Sequence, residues 1–479
     1  MNPDRYQSPL GLRYASPVMQ RLWGPKHRIA LWRRLWLALA EIEQELGLAI
    51  PDAAIREMRA HLDDADLAAA AAYERRFRHD VMAHVHAFAD QAPAARPYIH
   101  LGATSAFVSD NADLIVLREA LRLLLARLIA VLDALARFAR LHASLPCLAY
   151  THFQPAQLTT VGKRATLWAQ DMALDVEELC RRIDTLRFQG CKGTTGTQAS
   201  FLDLFERDHE RVRELDRRLT ARMGFAGAYP VTGQTYPRKA DAAILDALSG
   251  IAQSAAKFGA DLRLLQHEGE LLEPFESEQV GSSAMAYKRN PMRAERIGAL
   301  ARFVISLQAN GAHTAAAQWL ERTLDDSANR RLSLPEAFLA TDAILILVEN
   351  IVTGLEVREP VIRRHVEAQM PFMATERWLM RGVQAGGDRQ VLHEVIRRES
   401  RAVADAMAGD GRNDLLDRLA RHPAFGAVPT PELRADLDPS HYTGRAAAQV
   451  VEFLDDYLEP LLQRARPVAA AVEAAEVMV

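Results

Sequence analysis

The sequence has five polar segments whose residue types could do chemistry, and the first is Arg78-His79-Asp80, followed by His84 and His86. His79 and His86 are seven residues apart, so they would share one face of a helix. A zinc site on a helix would need a spacing such as His-Glu-x-x-His, which is absent here. Metal binding is therefore not indicated, and the histidines are either structural or part of a polar site.

The second segment, Tyr150 to Gln157, contains His152 just before a predicted long helix from Gln157 to Leu186. We expect His152 to lie at the N-terminus of that helix, where the helix dipole favours the neutral ring. A neutral imidazole can serve as a general acid or base near neutral pH. The alternative is a solvated loop histidine without a chemical role.

The third segment, Lys192 to Gln198, is spaced by glycines and rich in hydroxyl groups. It lacks the Walker A pattern of nucleotide-binding loops. Its backbone N–H groups could cradle an anion, and an ordinary glycine loop is an equal alternative.

The fourth segment, Gly281 to Pro291, combines small residues, two hydroxyls, two cations and an amide, and it opens a helix. Backbone donors and cations of this kind suit a ligand that carries carboxylates. The segment therefore predicts a mobile lid over an anion site, and a plain linker is the alternative.

The fifth segment surrounds Asp326, which lies four residues from both Arg322 and Arg330, the spacing of ion pairs on a helix surface. Surface ion pairs explain much of this segment. Phosphate binding by Arg322, Ser327 and Arg331 is the competing interpretation, and the residues alone favour the ion pairs.

The bulk properties limit the class of protein. The chain has 479 residues, of which 49% are hydrophobic and 25% charged, and its net charge is −4. This charge argues against broad nucleic-acid binding, which needs a basic surplus. The most apolar stretch, residues 121–141, carries charges that would be costly in lipid, so no membrane span is expected.

The cysteines and the N-terminus bear on the cellular compartment. Cys147, Cys180 and Cys191 are widely spaced and form no CxxC pair, so neither a disulfide framework nor a zinc site is indicated. The first twelve residues are polar and carry no apolar signal segment. We expect a cytoplasmic protein.

The elements that must position these segments are helices. Strand signals are nearly absent, whereas Ala, Leu, Arg and Glu favour helix throughout the chain. The clearest pattern runs from Ser109 to His142, with Ser109 or Asp110 as the candidate N-cap. Further long helices are predicted at about 157–186, 240–272, 291–318 and 328–357.

Long amphipathic helices without a sheet to pack on predict an elongated bundle that self-associates to cover its surface. Proline and glycine punctuation divides the chain into an N-terminal helical domain, 1–108, a central long-helix bundle, 109–357, and a C-terminal helical domain, 358–479. The tail from about Pro467 is rich in alanine and valine and is expected to fray.

The five segments occur in the order and at the distances of one family. The chain resembles the adenylosuccinate lyases of the aspartase/fumarase superfamily, most closely the animal-type branch, from about residue 8 to residue 445. The most specific piece, Gly281 to Pro291, is similar to the superfamily signature GSSxMPxKxNP. The segments 79–84, 151–160 and 323–327 narrow the resemblance to this family.

The resemblance implies an all-α, three-domain aspartase/fumarase-like fold with a central long-helix bundle. Four chains would pair these helices into a twenty-helix core, and each active site of the homotetramer would take residues from three chains. The implied reaction is a β-elimination of fumarate from adenylosuccinate, giving AMP, and from succinylaminoimidazole carboxamide ribotide in purine biosynthesis. No metal or organic cofactor is implied.

The resemblance also implies catalytic roles. Ser282 would be the base, and His152 would be the acid that protonates the leaving nitrogen. Glu295 would orient the acid histidine, Lys288 would stabilise the developing negative charge, and His79 would support the leaving-group side. On chemical grounds a histidine would be the better base, because a serine hydroxyl needs strong stabilisation of its alkoxide.

Substrate-binding positions follow from the same resemblance. Those that match contacts to the nucleotide and its phosphate are Arg13, Tyr14, Arg322, Ser327 and Arg331. Those that match contacts to the succinyl carboxylates are Thr104, Ser105, Lys288 and Asn290. The rest of the pocket would be lined by Arg78, Asp80, Thr151, Gln234 and Arg296.

The chain departs from the signature at position 286, which is alanine where proline is usual. Loss of the fixed φ should make the closed loop entropically more costly by ~0.5–1 kcal/mol. Because the reacting residues remain, altered loop kinetics are expected rather than lost activity.

Two alternatives stay open. A sister lyase acting on argininosuccinate, aspartate or fumarate would need no phosphate site, so the arginines around Asp326 argue against it. A catalytically silent structural relative is the second, and the joint retention of Ser282, His152, Lys288 and Glu295 argues against that.

Overall fold

The computed structural model describes residues 4–470 and is mainly helical. The predicted frayed tail falls largely on residues 471–479, which lie outside the described part. A helical turn at Leu10–Tyr14 opens the chain, and a turn at Pro93–Ala95 closes its N-terminal region. The helices of this region are α1 (Pro17–Trp23), α2 (Pro25–Glu45), α3 (Asp52–Ala60), α4 (Leu67–Phe77) and α5 (Asp80–Gln91).

The centre of the molecule is a bundle of long helices, as predicted. They are α6 (Ser105–Leu141), α7 (Val161–Thr185), α10 (Lys239–His267), α11 (Met292–Ala317) and α12 (Asp325–Thr353). Two shorter helices, α8 (Ala199–Leu204) and α9 (His209–Arg222), lie between α7 and α10 in sequence. Helix α10 packs along α11, α11 along α12, and both α12 and α7 along α6.

Helix α6 begins at Ser105, one turn earlier than predicted, with Thr104 as its N-cap residue. The predicted caps have other partners. Ser109 Oγ donates to the Ser105 carbonyl at 3.2 Å, and Asp110 Oδ2 accepts the N–H of Tyr236 at 3.1 Å. Leucines at three- and four-residue steps are fully buried and join α6 to its neighbours, as helical periodicity requires. They include Leu114, Leu117, Leu121 and Leu124.

Helices α10 and α11 are antiparallel neighbours. The side-chain amide of Gln266, at the end of α10, donates to the carbonyl of Arg289, just before α11, at 3.0 Å. The same side chain accepts the backbone N–H of Glu273 at 3.1 Å. The segment that carries the Gly281–Pro291 loop is thus fixed at both roots against the C-terminal end of α10.

The sequence predicts almost no strands, and this prediction is correct for the long-helix bundle. It overlooks one hairpin. Strands β1 (Pro146–Thr151) and β2 (Gln154–Thr160) pair in antiparallel fashion around a two-residue turn at His152 and Phe153. Both turn residues have positive φ, 53° and 58°, as in a type I′ hairpin turn. A second pairing joins the short strands β3 (Leu271–Leu272) and β4 (Glu356–Val357).

The hairpin changes the start of α7. The sequence pattern predicted a helix from Gln157, whereas α7 begins at Val161 because the four preceding residues pair within β2. Thr160 caps the helix, and its Oγ1 accepts the N–H of Lys163 at 3.1 Å.

The C-terminal region contains a second apolar core. Its helices are α13 (Glu359–Met373), α14 (Thr375–Gln384), α15 (Arg389–Asp410), α16 (Leu415–Arg421) and α17 (Thr430–Ala435), with turns at Pro423–Phe425 and Pro439–Tyr442. Trp378 is fully buried in this core, and its indole N–H donates to the Leu433 carbonyl at 2.9 Å. Helices α18 (Ala446–Glu452) and α19 (Glu459–Ala465), joined by a turn at Phe453–Leu458, return to pack on α7 and α6.

Along residues 4–470, no helix combines the length and apolarity that crossing a bilayer would require.

Candidate active site

A cavity of about 490 Å³ opens where α6, α10 and α12 begin. Its wall is largely polar, and its residues come from α1, α2, α4 and α5 and from these three helix starts with the segments before them. It brings together eight of the predicted site residues: Arg78, His79, Asp80, Ser105, Gln234, Arg322, Ser327 and Arg331.

Each ring nitrogen of His79 has a polar neighbour, and these two contacts orient the ring. It is the N-cap residue of α5, and its Nδ1 accepts the backbone N–H of Met82 at 3.3 Å. Because Nδ1 is an acceptor, a neutral ring carries its hydrogen on Nε2, which lies 3.3 Å from Ser105 Oγ. His79 and Ser105 therefore form one polar pair at the cavity wall.

His84 and His86 are structural. His86 packs on the rings of Tyr73 and Phe77, with centroids 5.3 and 4.8 Å away. His84 meets Trp32 edge-to-face, and burial lowers the pKa of its ring. Of the histidines in the first polar segment, only His79 faces the cavity.

Two cavity arginines are each paired with a carboxylate. Arg331 Nη2 lies 3.2 Å from Asp80 Oδ2, and Arg322 Nη1 donates to both oxygens of Asp326 at 3.0 and 3.1 Å. Ser327 lies in the first turn of α12, between these arginines in sequence. The helix N-terminus and the arginines together present donors suited to a phosphate or carboxylate.

The prediction of surface ion pairs around Asp326 is only partly correct, because Asp326 is buried, with 1% of its surface exposed. Arg238 Nε donates to Asp326 Oδ2 at 2.6 Å, and the other nitrogens of Arg238 donate to Asp110 at 2.9 and 3.2 Å. Burial acts to raise the pKa of Asp326, but the arginines outweigh it and hold that pKa below its ordinary value.

This buried network extends to Arg330, whose Nε donates to Asp241 at 2.6 Å and whose Nη2 donates to Asp113 at 3.0 Å. The hydroxyl of Tyr236 also donates to Asp241, at 2.6 Å. Burial raises the pKa of Asp113. One weak signal of the network is present in the sequence, namely charged residues at helix positions that the apolar periodicity assigns to the core.

The Lys192–Gln198 loop supports the cavity through Gln234, and an anion cradle formed by its backbone stays a prediction. The ammonium of Lys192 forms an ion pair with Asp216 at 2.6 Å. Gly196 has φ 83°, and a Cβ there would lie 2.0 Å from the Thr232 carbonyl, so only glycine allows this close approach. The side-chain amide of Gln234 donates to the Thr194 carbonyl at 2.9 Å.

The Gly281–Pro291 loop folds back on itself. The side-chain amide of Asn290 donates to the Gly281 carbonyl at 2.7 Å. Within the loop, Ser282 Oγ accepts the backbone N–H groups of Ala284 and Met285 at 3.3 and 3.1 Å. Lys288 is exposed. The loop therefore carries a serine oxygen with two preorganised donors and, six residues later, an exposed cation.

Other predicted residues lie near the start of α11. The guanidinium of Arg296 lies over the ring of Tyr14, 5.5 Å from its centroid, which joins two sequence-distant members of the predicted site. Glu295, on the same helix, and Arg13, beside Tyr14, are exposed.

His152 does not lie at a helix N-terminus, contrary to the sequence prediction, because residues 146–160 form the hairpin and Thr160 caps α7. The tip of the hairpin is exposed to solvent. Residues 150–157, including Thr151 and His152, are all exposed, and Phe153 is 81% exposed.

The predicted site residues of one chain therefore form separate groups. The cavity group adjoins the start of α10, whereas Gln266, at its end, holds the Gly281–Pro291 loop. A helix of 29 residues is roughly 40 Å long. The base of the hairpin lies near the C-terminal end of α10, the same end that holds the Gly281–Pro291 loop. There Arg164 contacts both the Leu148 carbonyl and Glu270.

Among residues 4–470, no group of three or more His, Cys, Asp or Glu side chains is arranged to hold a metal ion.

Comparison with known proteins identifies the family. A lyase family model matches residues 24–306, and a model described as adenylosuccinate lyase C-terminus matches residues 371–453. The chain is 49% identical over 464 residues to adenylosuccinate lyase of Saccharomyces cerevisiae, covering 96% of each chain. It is 48% identical over 462 residues to adenylosuccinate lyase of Schistosoma mansoni, again covering 96% of each.

The chain belongs to the adenylosuccinate lyase family. It is accordingly a lyase, and the resemblance stated from the five polar segments is confirmed.

Solved structures agree with this family at the level of the fold. A 3-carboxy-cis,cis-muconate lactonizing enzyme from Pseudomonas putida superposes with a TM-score of 0.80 at 24% identity, covering 96% of this chain and 99% of its own. A fumarate lyase from Mesorhizobium sp. BNC1 gives 0.77 at 24% identity with the same coverage. The all-α prediction with a central long-helix bundle is confirmed.

Proposed function

We propose that this adenylosuccinate lyase family member releases fumarate from adenylosuccinate, leaving AMP, and cleaves succinylaminoimidazole carboxamide ribotide in the same way, as a step of purine biosynthesis. The observation that carries the proposal is the first turn of α12. Ser327 in this turn, Arg322 just before the helix and Arg331 one turn further on line one cavity beside the helix N-terminus. This arrangement suits the phosphate that both nucleotide substrates carry.

The proposed chemistry is a β-elimination. The oxygen of Ser282 takes a proton from the carbon beside a substrate carboxylate, and the electron pair left there spreads into that carboxylate. The carbon–nitrogen bond then breaks, and His152 donates a proton to the departing nitrogen. Fumarate and AMP leave, and proton transfers restore both residues.

The contacts of Ser282 answer the chemical objection to a serine base. Its oxygen already accepts two backbone N–H groups, at 3.3 and 3.1 Å, and such donors stabilise an alkoxide more than a hydroxyl. Lys288, which is exposed on the same loop, adds a positive charge. Both features act to lower the cost of forming the alkoxide.

The remaining assignments belong to the same proposal. Glu295 orients His152, and His79, fixed against Ser105, supports the leaving-group side. The succinyl carboxylates are held by Thr104, Ser105, Lys288 and Asn290. The nucleotide is bound by Arg13, Tyr14, Arg322, Ser327 and Arg331, and the pocket is completed by Arg78, Asp80, Thr151, Gln234 and Arg296.

We extend the proposal to a homotetramer whose active sites take residues from three chains. The cavity adjoins the start of α10 and the Ser282 loop is held at its end, and a helix of that length spans roughly 40 Å, which supports an active site assembled from different chains. Exposed apolar residues on α11, among them Phe303 and Ile305, would be covered when the long helices of four chains form a twenty-helix core.

The domain limits 1–108, 109–357 and 358–479 and a cytoplasmic location are part of this proposal. The chemistry as written requires no metal or organic cofactor, because a lysine and backbone donors stabilise the negative charge.

The test is direct. Purified protein is incubated with adenylosuccinate while the ultraviolet change that accompanies formation of AMP and fumarate is followed, and the ribotide substrate is assayed in parallel. Argininosuccinate serves as the control, since it releases fumarate but carries no phosphate. Turnover of both nucleotides and not of argininosuccinate is expected, and no turnover of adenylosuccinate at high enzyme concentration would defeat the proposal.

A further inference from the structure

Asp326 connects a cavity arginine to the buried ion network. Its two carboxylate oxygens accept hydrogen bonds from Arg322 Nη1, at 3.0 and 3.1 Å. Its Oδ2 also accepts from Arg238 Nε at 2.6 Å. Asp326 is 1% exposed, whereas the side chain of Arg322 is 26% exposed and lines the cavity.

Arg238 gives Asp326 a fixed position. Its side chain is buried, and its remaining nitrogens hold Asp110, on α6, at 2.9 and 3.2 Å. A guanidinium is planar, so bonds from all three of its nitrogens determine both its place and its orientation. Asp326 is thereby tied to α6 as well as to its own helix.

This arrangement has a consequence for Arg322. A free arginine side chain loses rotamer entropy when it is immobilised on a ligand. Because Asp326 already holds Nη1, part of that ordering is present before a ligand arrives. Arg322 itself lines the cavity, so its guanidinium can donate to a ligand bound there.

We infer that Asp326 is a positioning residue for Arg322, and that this pair sets the preference of the site for phosphorylated over unphosphorylated ligands. The inference rests on the proposed function, in which Arg322 meets the nucleotide phosphate. Asp326 is not among the site residues predicted from the sequence, and the specificity that it controls is the preference for phosphorylated ligands.

A purely structural role for Asp326 is the interpretation to separate from this one. Acidic residues in the first turn of a helix stabilise it through the helix dipole, and a buried ion pair is costly to break from one side. Asp241 is a matched control. It lies in the first turn of α10, is 2% exposed and pairs with Arg330 at 2.6 Å, but it does not line the cavity.

The experiment measures equilibrium binding of AMP and of adenosine to the full-length protein by titration calorimetry. The quantity of interest is the ratio of the two affinities, which isolates the phosphate contribution. It is determined for the wild type, Asp326→Asn, Asp241→Asn, Arg322→Gln and the Asp326→Asn/Arg322→Gln double variant. Melting temperatures of all proteins are recorded alongside.

We expect Asp326→Asn to reduce the AMP-to-adenosine ratio about tenfold, the size expected for losing one charge-assisted contact. Arg322→Gln should reduce it at least as much, and the double variant should be no worse than Arg322→Gln alone. Asp241→Asn should lower the melting temperature and leave the ratio unchanged. If Asp326→Asn does not fold, Arg238→Lys, which keeps the buried charge but loses the bond to Asp326, should reduce the ratio in the same direction.

An unchanged ratio in Asp326→Asn, or an equal fall in Asp241→Asn, would overturn the inference. Because binding is measured without turnover, this result is independent of the proposed reaction. A wild type that binds AMP in preference to adenosine but cleaves no substrate would defeat the proposed function and leave the positioning role standing.

Discussion

The side-chain oxygen of Ser282 accepts a 3.1 Å hydrogen bond from the backbone N–H of Met285, within a loop whose two ends are joined through Asn290 and Gly281. A second donor, the N–H of Ala284, lies 3.3 Å from the same oxygen. These donors come from the chain itself and therefore stand ready before substrate binds. Preorganised donors of this kind account for large rate effects at oxyanion sites.

Two proline substitutions in this loop should have opposite effects. Ala286→Pro restores the residue of the signature and should leave the chemical step intact while easing loop closure by ~0.5–1 kcal/mol. Ala284→Pro removes one of the two N–H donors to Ser282 and should lower kcat by roughly a hundredfold. Steady-state and single-turnover kinetics on both variants measure these effects. Complete inactivation by Ala286→Pro would show that position 286 does not have the assigned role.

Much of the bundle follows from the sequence, because leucines at helical spacing fix both the presence and the buried face of a long helix. The limits of these helices depend on side-chain partners far away in the chain. Ser109 resembles an N-cap, yet its hydroxyl bonds back to the Ser105 carbonyl inside α6. The partner of Asp110 lies 128 residues further along, in Arg238, and no local pattern can reveal it.

The hairpin that carries His152 was missed for a related reason. Its exposed outer half lacks the alternation of apolar and polar residues that marks a strand packed on a core. Conversely, the family motifs identified candidate residues that lie in separate places in one chain. Helical periodicity alone could not show that the cavity and the Ser282 loop lie at opposite ends of α10.

The exposed apolar face of α11 predicts a requirement for self-association. Ile305 is 36% exposed on this helix, and Ile305→Lys should place a charge in a subunit interface, giving smaller particles and loss of activity. Sedimentation velocity and the lyase assay are the measurements. Met380→Lys is the control, because Met380 is 51% exposed on α14, which packs on the separate C-terminal core. Unchanged particle size and activity in Ile305→Lys would contradict the proposed interface.

Glu43 predicts a pH dependence of stability. It is fully buried on α2, and burial raises the pKa of its carboxyl from 4.5 to about 9. Between these values the folded chain keeps a proton that the unfolded chain releases, so this group's contribution to the free energy of unfolding falls as pH rises. The limiting slope is about 1.4 kcal/mol per pH unit.

Glu43→Gln should therefore flatten the loss of stability between roughly pH 7 and pH 9, as measured by denaturant unfolding across that range. Asp175→Asn is a matched control. Burial raises the pKa of Asp175 only to about 7, so its removal should change the slope below that pH. Parallel stability curves for wild type and Glu43→Gln above pH 7 would refute the assignment.

The central claim, that one active site draws His152 and Ser282 from different chains, is tested most directly by mixing inactive variants. His152→Ala and Ser282→Ala are each expected to lose roughly three orders of magnitude in kcat while keeping their fold. When the two are co-expressed with different tags and the hybrid oligomers are isolated, random assembly should restore about a quarter of the wild-type activity. Hybrids that contain both chains yet stay as inactive as either parent would contradict the account.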